Sequence, residues 1–187
     1  MEIAETSLPG VVVITPDRHE DSRGYLSETW SQGALARLGL ETSFVQDNQS
    51  FSRKAGTVRG LHCQLPPHAQ DKLVRVTAGR IIDVAVDIRR GSPFFGQSVS
   101  VELSAENHRQ SFVPKGFLHG FVTLEDKTEV FYKCSAHYHR DSECAFHFAD
   151  PDLAIDWAQD IGDVILSEKD ARARVFAGFD SPFIFGE

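Results

Sequence analysis

A mainly β fold, a sandwich or a barrel, is the architecture this sequence predicts, and three observations predict it. Apolar residues alternate with period two, most clearly at Ile81-Ile82-Asp83-Val84-Ala85-Val86-Asp87-Ile88. Comparable short runs recur between turn-like clusters such as RRGSP, SAEN and TLEDK. Helical periodicity is confined to two short pieces. Many short strands at near-regular spacing are the pattern of all-β sandwiches and barrels.

In chain order, strands are expected at 10–15, 72–77, 81–88, 98–103, 120–124, 128–134 and 144–148. In the third of these, Ile82, Val84, Val86 and Ile88 share one face and Asp83 and Asp87 the other, which predicts a half-buried strand. A helix is expected over 31–40, with Leu35 and Leu38 on one side and Gly39 as its stop, and a second begins near Ser167. No glycine-rich loop leads into a helix, so P-loop kinases and dinucleotide-binding dehydrogenases are excluded. There is no internal repeat and no long Pro/Gly/Ser linker, and 1–187 reads as one domain.

With 187 residues, 41% hydrophobic and 25% charged, the chain has a single globular domain's composition. A chain of this length buries roughly 70% of its unfolded surface and needs no metal or disulfide to hold a core. Nineteen Lys and Arg against 27 Asp and Glu leave a net charge of −8, which argues against nucleic acid or an anionic membrane as partner. Cys63, Cys134 and Cys144 are odd in number and form no CxxC pair, so neither a disulfide framework nor a Cys-based zinc site is expected. A reducing compartment fits. No basic residue precedes Arg18 and no apolar stretch approaches the ~20 residues of a membrane span, so the expected location is cytoplasmic.

Two histidine segments end strand-like runs: RGLHCQ, with Arg59, His62 and Gln64, and PKGFLHGF, with Pro114, Gly116 and His119. Together they resemble the cupins, antiparallel barrels in which HxH and PxGxxH segments hold a divalent metal through neutral imidazoles. Here the first segment reads HxQ, and no acidic residue follows before Asp71. No metal and no cofactor is therefore expected, and His62 is available as a free base, since an imidazole titrates near ~6.5.

Eight ordered segments sharpen the resemblance: DSRGYLSE, FVQDNQS, VRGLHCQ, QDKLVRV, GRIIDVAVDIRRGSPFFG, LSAENHRQSFVPKGFLHGF, EVFYK and LSEKD. Through these the chain resembles the dTDP-4-dehydrorhamnose 3,5-epimerase family of nucleotide-sugar enzymes over nearly its whole length. The resemblance implies a cupin-like jelly-roll barrel with a few short peripheral helices and pairing into homodimers that exchange N-terminal strands. It also implies epimerisation at C3 and C5 of a dTDP-4-keto-6-deoxyhexose, both carbons lying next to the C4 ketone. Removal of either proton gives an enolate, so the chemistry needs a base on one face, an acid on the other and a cation at O4.

The matching positions are His62 as base, Asp170 as the carboxylate that orients it, Tyr132 as acid and Lys72 as the cation. Arg23, Glu28, Gln46, Asn48, Arg59, His119, Glu143 and Lys169 match positions that line the nucleotide-sugar site, with guanidinium groups suited to diphosphate. Tyr138, then Tyr25, are the candidates to stack on thymine.

Each residue also has a plainer reading. Ser167 to Asp170 has the spacing of a capping box, which would occupy the Asp170 carboxylate. Tyr132 is in phase with Val130 and Cys134, as a core aromatic would be. Lys72, whose strand parity with Val74 and Val76 points it inward, could instead snorkel from an edge strand. Arg23, Arg59 and Lys169 could be surface charges. His68, His137, His139 and His147 receive no role. Two departures, Cys63 where the family carries an aromatic residue and His137-Tyr138-His139-Arg140 for a tyrosine pair, leave inversion of a single centre as an alternative. A metal-dependent cupin using His62 and His119, and a non-catalytic dTDP-sugar binding module, are the other two.

Overall fold

The computed structural model describes residues 1–153, 155–157 and 163–186 of the chain. In chain order the strands are β1 (Glu2–Glu5), β2 (Val12–Thr15), β3 (His19–Asp21), β4 (Gly24–Leu26), β5 (Gln46–Ser52), β6 (Val58–Gln64), β7 (Lys72–Ala78), β8 (Arg80–Asp87), β9 (Ser98–Ser104), β10 (Gln110–Val113), β11 (Phe117–Thr123), β12 (Thr128–Cys134) and β13 (Glu143–Ala145). Two short helices, α1 (Gln32–Arg37) and α2 (Glu168–Ala171), lie outside the sheets. One antiparallel sheet has the order β1-β2-β10-β7-β12-β5, the other β13-β6-β11-β8-β9, and β3 and β4 pair only with each other.

The two large sheets face one another as a jelly roll. Val74 and Val76 of β7 and Val130 of β12 pack there against Ile81 of β8, Leu103 of β9 and Phe121 of β11. A second core lies behind the five-stranded sheet, where Ile82, Val84, Val86 and Ile88 meet Phe146, Leu153, Trp157 and Phe176 from the C-terminal part of the chain. This corrects the expectation of a half-buried strand at 81–88. Strand β8 sits between β11 and β9, with one face on the barrel interior and the other under the C-terminal segment, so both are buried. Asp83 and Asp87 are 2% and 0% exposed. Buried carboxylates survive only when paired. Asp87 accepts from Arg89 and Ser92, and Asp83 from His119.

The helices follow their caps. The Ser31 hydroxyl accepts from the Ala34 N–H, Leu35 is the buried residue of α1, and the chain leaves through Gly39 at φ +85°. The helix spans fewer residues than the expected 31–40. Strand β11 begins earlier than expected and β13 ends earlier, Phe146 lying past its end, where it exchanges backbone hydrogen bonds with Leu61 and forms an isolated bridge with Arg174.

Ladder registers set the positions of the polar side chains. His62 of β6 lies opposite His119 of β11, with the register shifting between His119 and Phe121. Beside them Gly60 and Gly120 allow the two strands to approach: a Cβ on Gly60, at φ +132°, would stand 2.5 Å from the Gly120 Cα. Across the barrel, Tyr132 of β12 pairs with Asn48 of β5 and Val74 of β7, and Cys134 pairs with Gln46 and Lys72.

Candidate active site

The polar interior faces of the two sheets enclose two cavities that share His62, Lys72 and Tyr132. The first, of about 310 Å³, is lined also by Gln46, Asn48, Cys63, Gln64, Gln70, Cys134, Tyr138 and Glu143. The second, of about 260 Å³, is lined also by Ser50, Arg59, His119, Phe121, Ser167, Lys169 and Asp170. His62 comes from the five-stranded sheet and Tyr132 from the six-stranded one. Facing sheets lie about 10 Å apart, so these two side chains reach into one space from opposite walls.

His62 Nε2 lies 2.6 Å from Asp170 Oδ1. Burial pushes the Asp170 carboxyl up, but the hydrogen bond and charge of His62, with help from the Ser167 hydroxyl and Lys169, outweigh it and leave its pKa below the ordinary aspartate value. An ionised carboxylate only accepts, so the proton is on Nε2, and in the neutral ring Nδ1 carries the lone pair. Only half of the capping box expected at Ser167 to Asp170 forms, and it does not occupy the carboxylate. Ser167 Oγ accepts from the Asp170 backbone N–H at 3.1 Å, which frees the carboxylate for His62.

Burial raises the Tyr132 pKa, Cys134 adds to the rise and Arg59 opposes it, so the phenol keeps its proton at neutral pH. Burial lowers the Lys72 pKa, against the pull of Cys134, Cys63, Asp83 and Glu143. Lys72 therefore points inward, as its strand parity predicts, into a place where its charge has partial compensation. His119 is buried, with Nε2 2.7 Å from Asp83 Oδ1. Burial holds its pKa below the usual histidine range; Asp83 opposes this, while Lys72 and His62 reinforce it.

At the rim, Lys169 is paired with Glu143, and the Tyr138 hydroxyl donates to the other Glu143 oxygen at 3.3 Å. Burial raises the Glu143 pKa but Lys169 more than reverses it, with His62 and Tyr138 assisting. Arg59 donates to the Phe51 carbonyl at 3.2 Å. Cys63, beside the base, faces Cys144 across β6 and β13. The Cys63 thiol donates to the Cys144 sulfur, and Arg174 Nη2 stands 3.0 Å from it; against burial these draw the Cys144 pKa down to about 6.

Eleven expected residues thus meet in the two cavities: His62, Tyr132, Asp170, Lys72, Gln46, Asn48, Arg59, His119, Tyr138, Glu143 and Lys169. Arg23, Tyr25 and Glu28 do not. Arg23 and Tyr25 belong to the β3–β4 hairpin, which no other strand joins. Arg23 is exposed and pairs with Asp21 at 2.5 Å. Tyr25 stacks under Arg18, 3.6 Å from its ring centroid, in a cleft with Arg75, His108 and Gln110. Glu28 is exposed.

Asp83 and Ser50 belong to the site although no role was expected for either. Asp83 was visible as a carboxylate inside an apolar run. Ser50, whose hydroxyl is buried without a hydrogen-bond partner, lies on a strand whose inward residues are Gln46, Asn48, Ser50 and Ser52, so hydrophobic alternation could not reveal it. As to metal ligation, both imidazoles give Nε2 to carboxylates, and no group of three or more His, Cys, Asp or Glu among the described residues is arranged to hold an ion.

Fold and cavities together define the class: a jelly-roll barrel carrying a histidine–aspartate pair opposite a protonated phenol. The family model described as dTDP-4-dehydrorhamnose 3,5-epimerase matches residues 5–178. A curated relative of that name from Escherichia coli K12 is 47% identical over 173 residues, 92% of either chain. The crystal structure of the epimerase from Legionella pneumophila in complex with dTDP-4-keto-L-rhamnose superposes with a TM-score of 0.90 at 46% identity, covering 96% of this chain and 94% of the other. A 3'-monoepimerase from Streptomyces bikiniensis in complex with dTDP-quinovose is more distant, with a TM-score of 0.83 at 31% identity over 91% of this chain and 85% of the other. The chain belongs to the dTDP-4-dehydrorhamnose 3,5-epimerase family, and is an isomerase of the epimerase type.

Proposed function

We propose that the chain converts dTDP-4-dehydro-6-deoxy-D-glucose to dTDP-4-dehydro-L-rhamnose by inverting C3 and C5. The observation that carries this reading is the placement of His62, with its carboxylate partner, and Tyr132 on opposite sheets around one cavity. His62 Nδ1 takes the proton from a carbon next to the C4 ketone, and the electron pair moves onto O4 as an enolate. The Asp170 carboxylate stabilises the imidazolium that results. Lys72 meets the enolate oxygen, where a cation in a low-dielectric site has most effect. Tyr132 returns a proton to the opposite face; water then takes the imidazolium proton and reprotonates the phenolate, and the same sequence at the second carbon completes the product.

Arg59 and Lys169 supply charge for the diphosphate, Gln46, Asn48, His119 and Glu143 supply hydrogen bonds, and Tyr138 offers a flat face to the thymine. The double inversion, rather than that of one centre, is supported by the closer similarity to the relative holding dTDP-4-keto-L-rhamnose than to the monoepimerase. The exposed hairpin carrying Arg23 and Tyr25, with Glu28 just beyond it, supports a homodimer in which a second copy receives these side chains. A cytoplasmic site of action fits three free, buried cysteines. Among the described residues no helix is long and apolar enough to cross a membrane. The test is incubation with dTDP-4-dehydro-6-deoxy-D-glucose followed by NMR of the sugar. Inversion at both carbons is expected; recovery of the starting configuration would overturn the reading.

A further inference from the structure

We infer that Gln64 is a positioning residue whose side-chain amide clamps residues 137–139 and so holds Tyr138 at the cavity; the inference rests on the nucleotide-sugar reading above. Gln64 ends β6, two residues after His62, and is buried. Its amide is spent on backbone. Nε2 donates to the His68 carbonyl at 2.7 Å and the His137 carbonyl at 3.2 Å, and Oε1 accepts from the His139 N–H at 2.6 Å. The partners dictate the amide's orientation, because a flipped amide would set its oxygen against two carbonyls. Without Gln64 those three backbone groups, which are only partly buried, lose these partners, and the two loops lose the side chain that joins them.

The contacts join two loops, one following β6 and one following β12. Between them stands Tyr138, whose N–H donates to Gln46 Oε1 at 2.9 Å. The His68 and His139 rings stack at 4.0 Å and 9°, closing the same two loops. Tyr138 is 56% exposed, yet the backbone is tied at three successive residues. An aromatic face fixed before its ligand arrives spares the ordering cost on binding. The position that holds a second imidazole in a metal-binding HxH segment is used here to build a wall of the pocket.

The test compares Gln64→Met, which removes all three bonds at similar length, with Gln64→Glu, which keeps an acceptor for His139 but turns a carboxylate onto two carbonyls. Amide hydrogen exchange at 138–139, dTDP affinity, KM and kcat are measured on the full chain. Expected for Gln64→Met are faster exchange at both amides and a weakening of dTDP affinity and KM on the order of ten- to a hundredfold, with kcat falling less than about threefold. Gln64→Glu should bind dTDP more weakly still, and it carries the test should the Met variant not fold. Unchanged exchange and affinity in a folded variant, or a loss confined to thermal stability, would overturn the clamp. Faster exchange in Gln64→Met alongside a wild type that binds no dTDP would support the clamp and count against the nucleotide-sugar reading.

Discussion

Replacing Asp170 with Asn probes the histidine pair while leaving its surroundings in place. The Ser167 cap survives, because it uses the backbone N–H of residue 170. The bond of 2.6 Å to His62 Nε2 changes character. An amide can present its own N–H there, which moves the imidazole proton to Nδ1, the atom that must be free to act as base. The compensating charge is lost as well. Opposite unit charges about 4 Å apart at an effective dielectric of about 20 attract by about 4 kcal/mol. At about 1.4 kcal/mol per factor of ten, that is roughly a thousandfold in rate. In Ser-His-Asp hydrolases the corresponding Asp-to-Asn change costs about 10⁴ in kcat, chiefly through the tautomer. Expected for Asp170→Asn is therefore a kcat loss of about 10³ to 10⁴, with KM within about threefold of wild type. The assay follows the dTDP-sugar by NMR at saturating substrate, beside a thermal melt. A kcat loss below about tenfold, or a large rise in KM at full kcat, would refute the dyad.

Tyr132→Phe should let His62 withdraw protons without an acid on the other face: solvent deuterium enters the sugar while net inversion disappears, and normal inversion would refute the assignment. Lys72→Met removes a cation whose burial disfavours its charged form. The melting temperature should rise while kcat/KM falls by about 10² to 10³; retained turnover would count against an enolate role. His119 has its pKa held below the usual range, first by burial. As pH falls below about 6.5 the unfolded chain takes up this proton before the folded one, so stability declines until His119 itself titrates. Denaturation midpoints between about pH 7 and 5 should fall less steeply in His119→Asn than in wild type, and parallel curves would contradict this.

The barrel was legible where one face of a strand is apolar. The runs at 72–77, 98–103 and 128–134 match β7, β9 and β12 closely. Strand β5 escaped because its inward side chains are Gln46, Asn48, Ser50 and Ser52, polar residues that the cavity requires, and its one large apolar residue, Phe51, faces out. Function there erased the hydrophobic signal of structure. The burial of Asp83 escaped for a related reason: alternation locates a strand's faces but cannot show that the C-terminal segment covers the apolar one while the face of Asp83 turns into the barrel. Most of the site, His62, Lys72 and Tyr132 among it, could be found from motif resemblance, whereas the capping-box spacing points to the Ser167 cap but not to a carboxylate of Asp170 left free of it. The hairpin residues Arg23 and Tyr25 stand apart from the two cavities that gather the other expected residues, a separation no local sequence pattern shows.

Deuterium incorporation from heavy water into dTDP-4-dehydro-6-deoxy-D-glucose, read by NMR for wild type and His62→Ala side by side, tests the two-faced proton transfer most directly. Wild type should deliver label at C3 and at C5, each on an inverted centre, and His62→Ala should deliver almost none. Label on carbons of unchanged configuration in wild type, or exchange that persists without the imidazole, would contradict it.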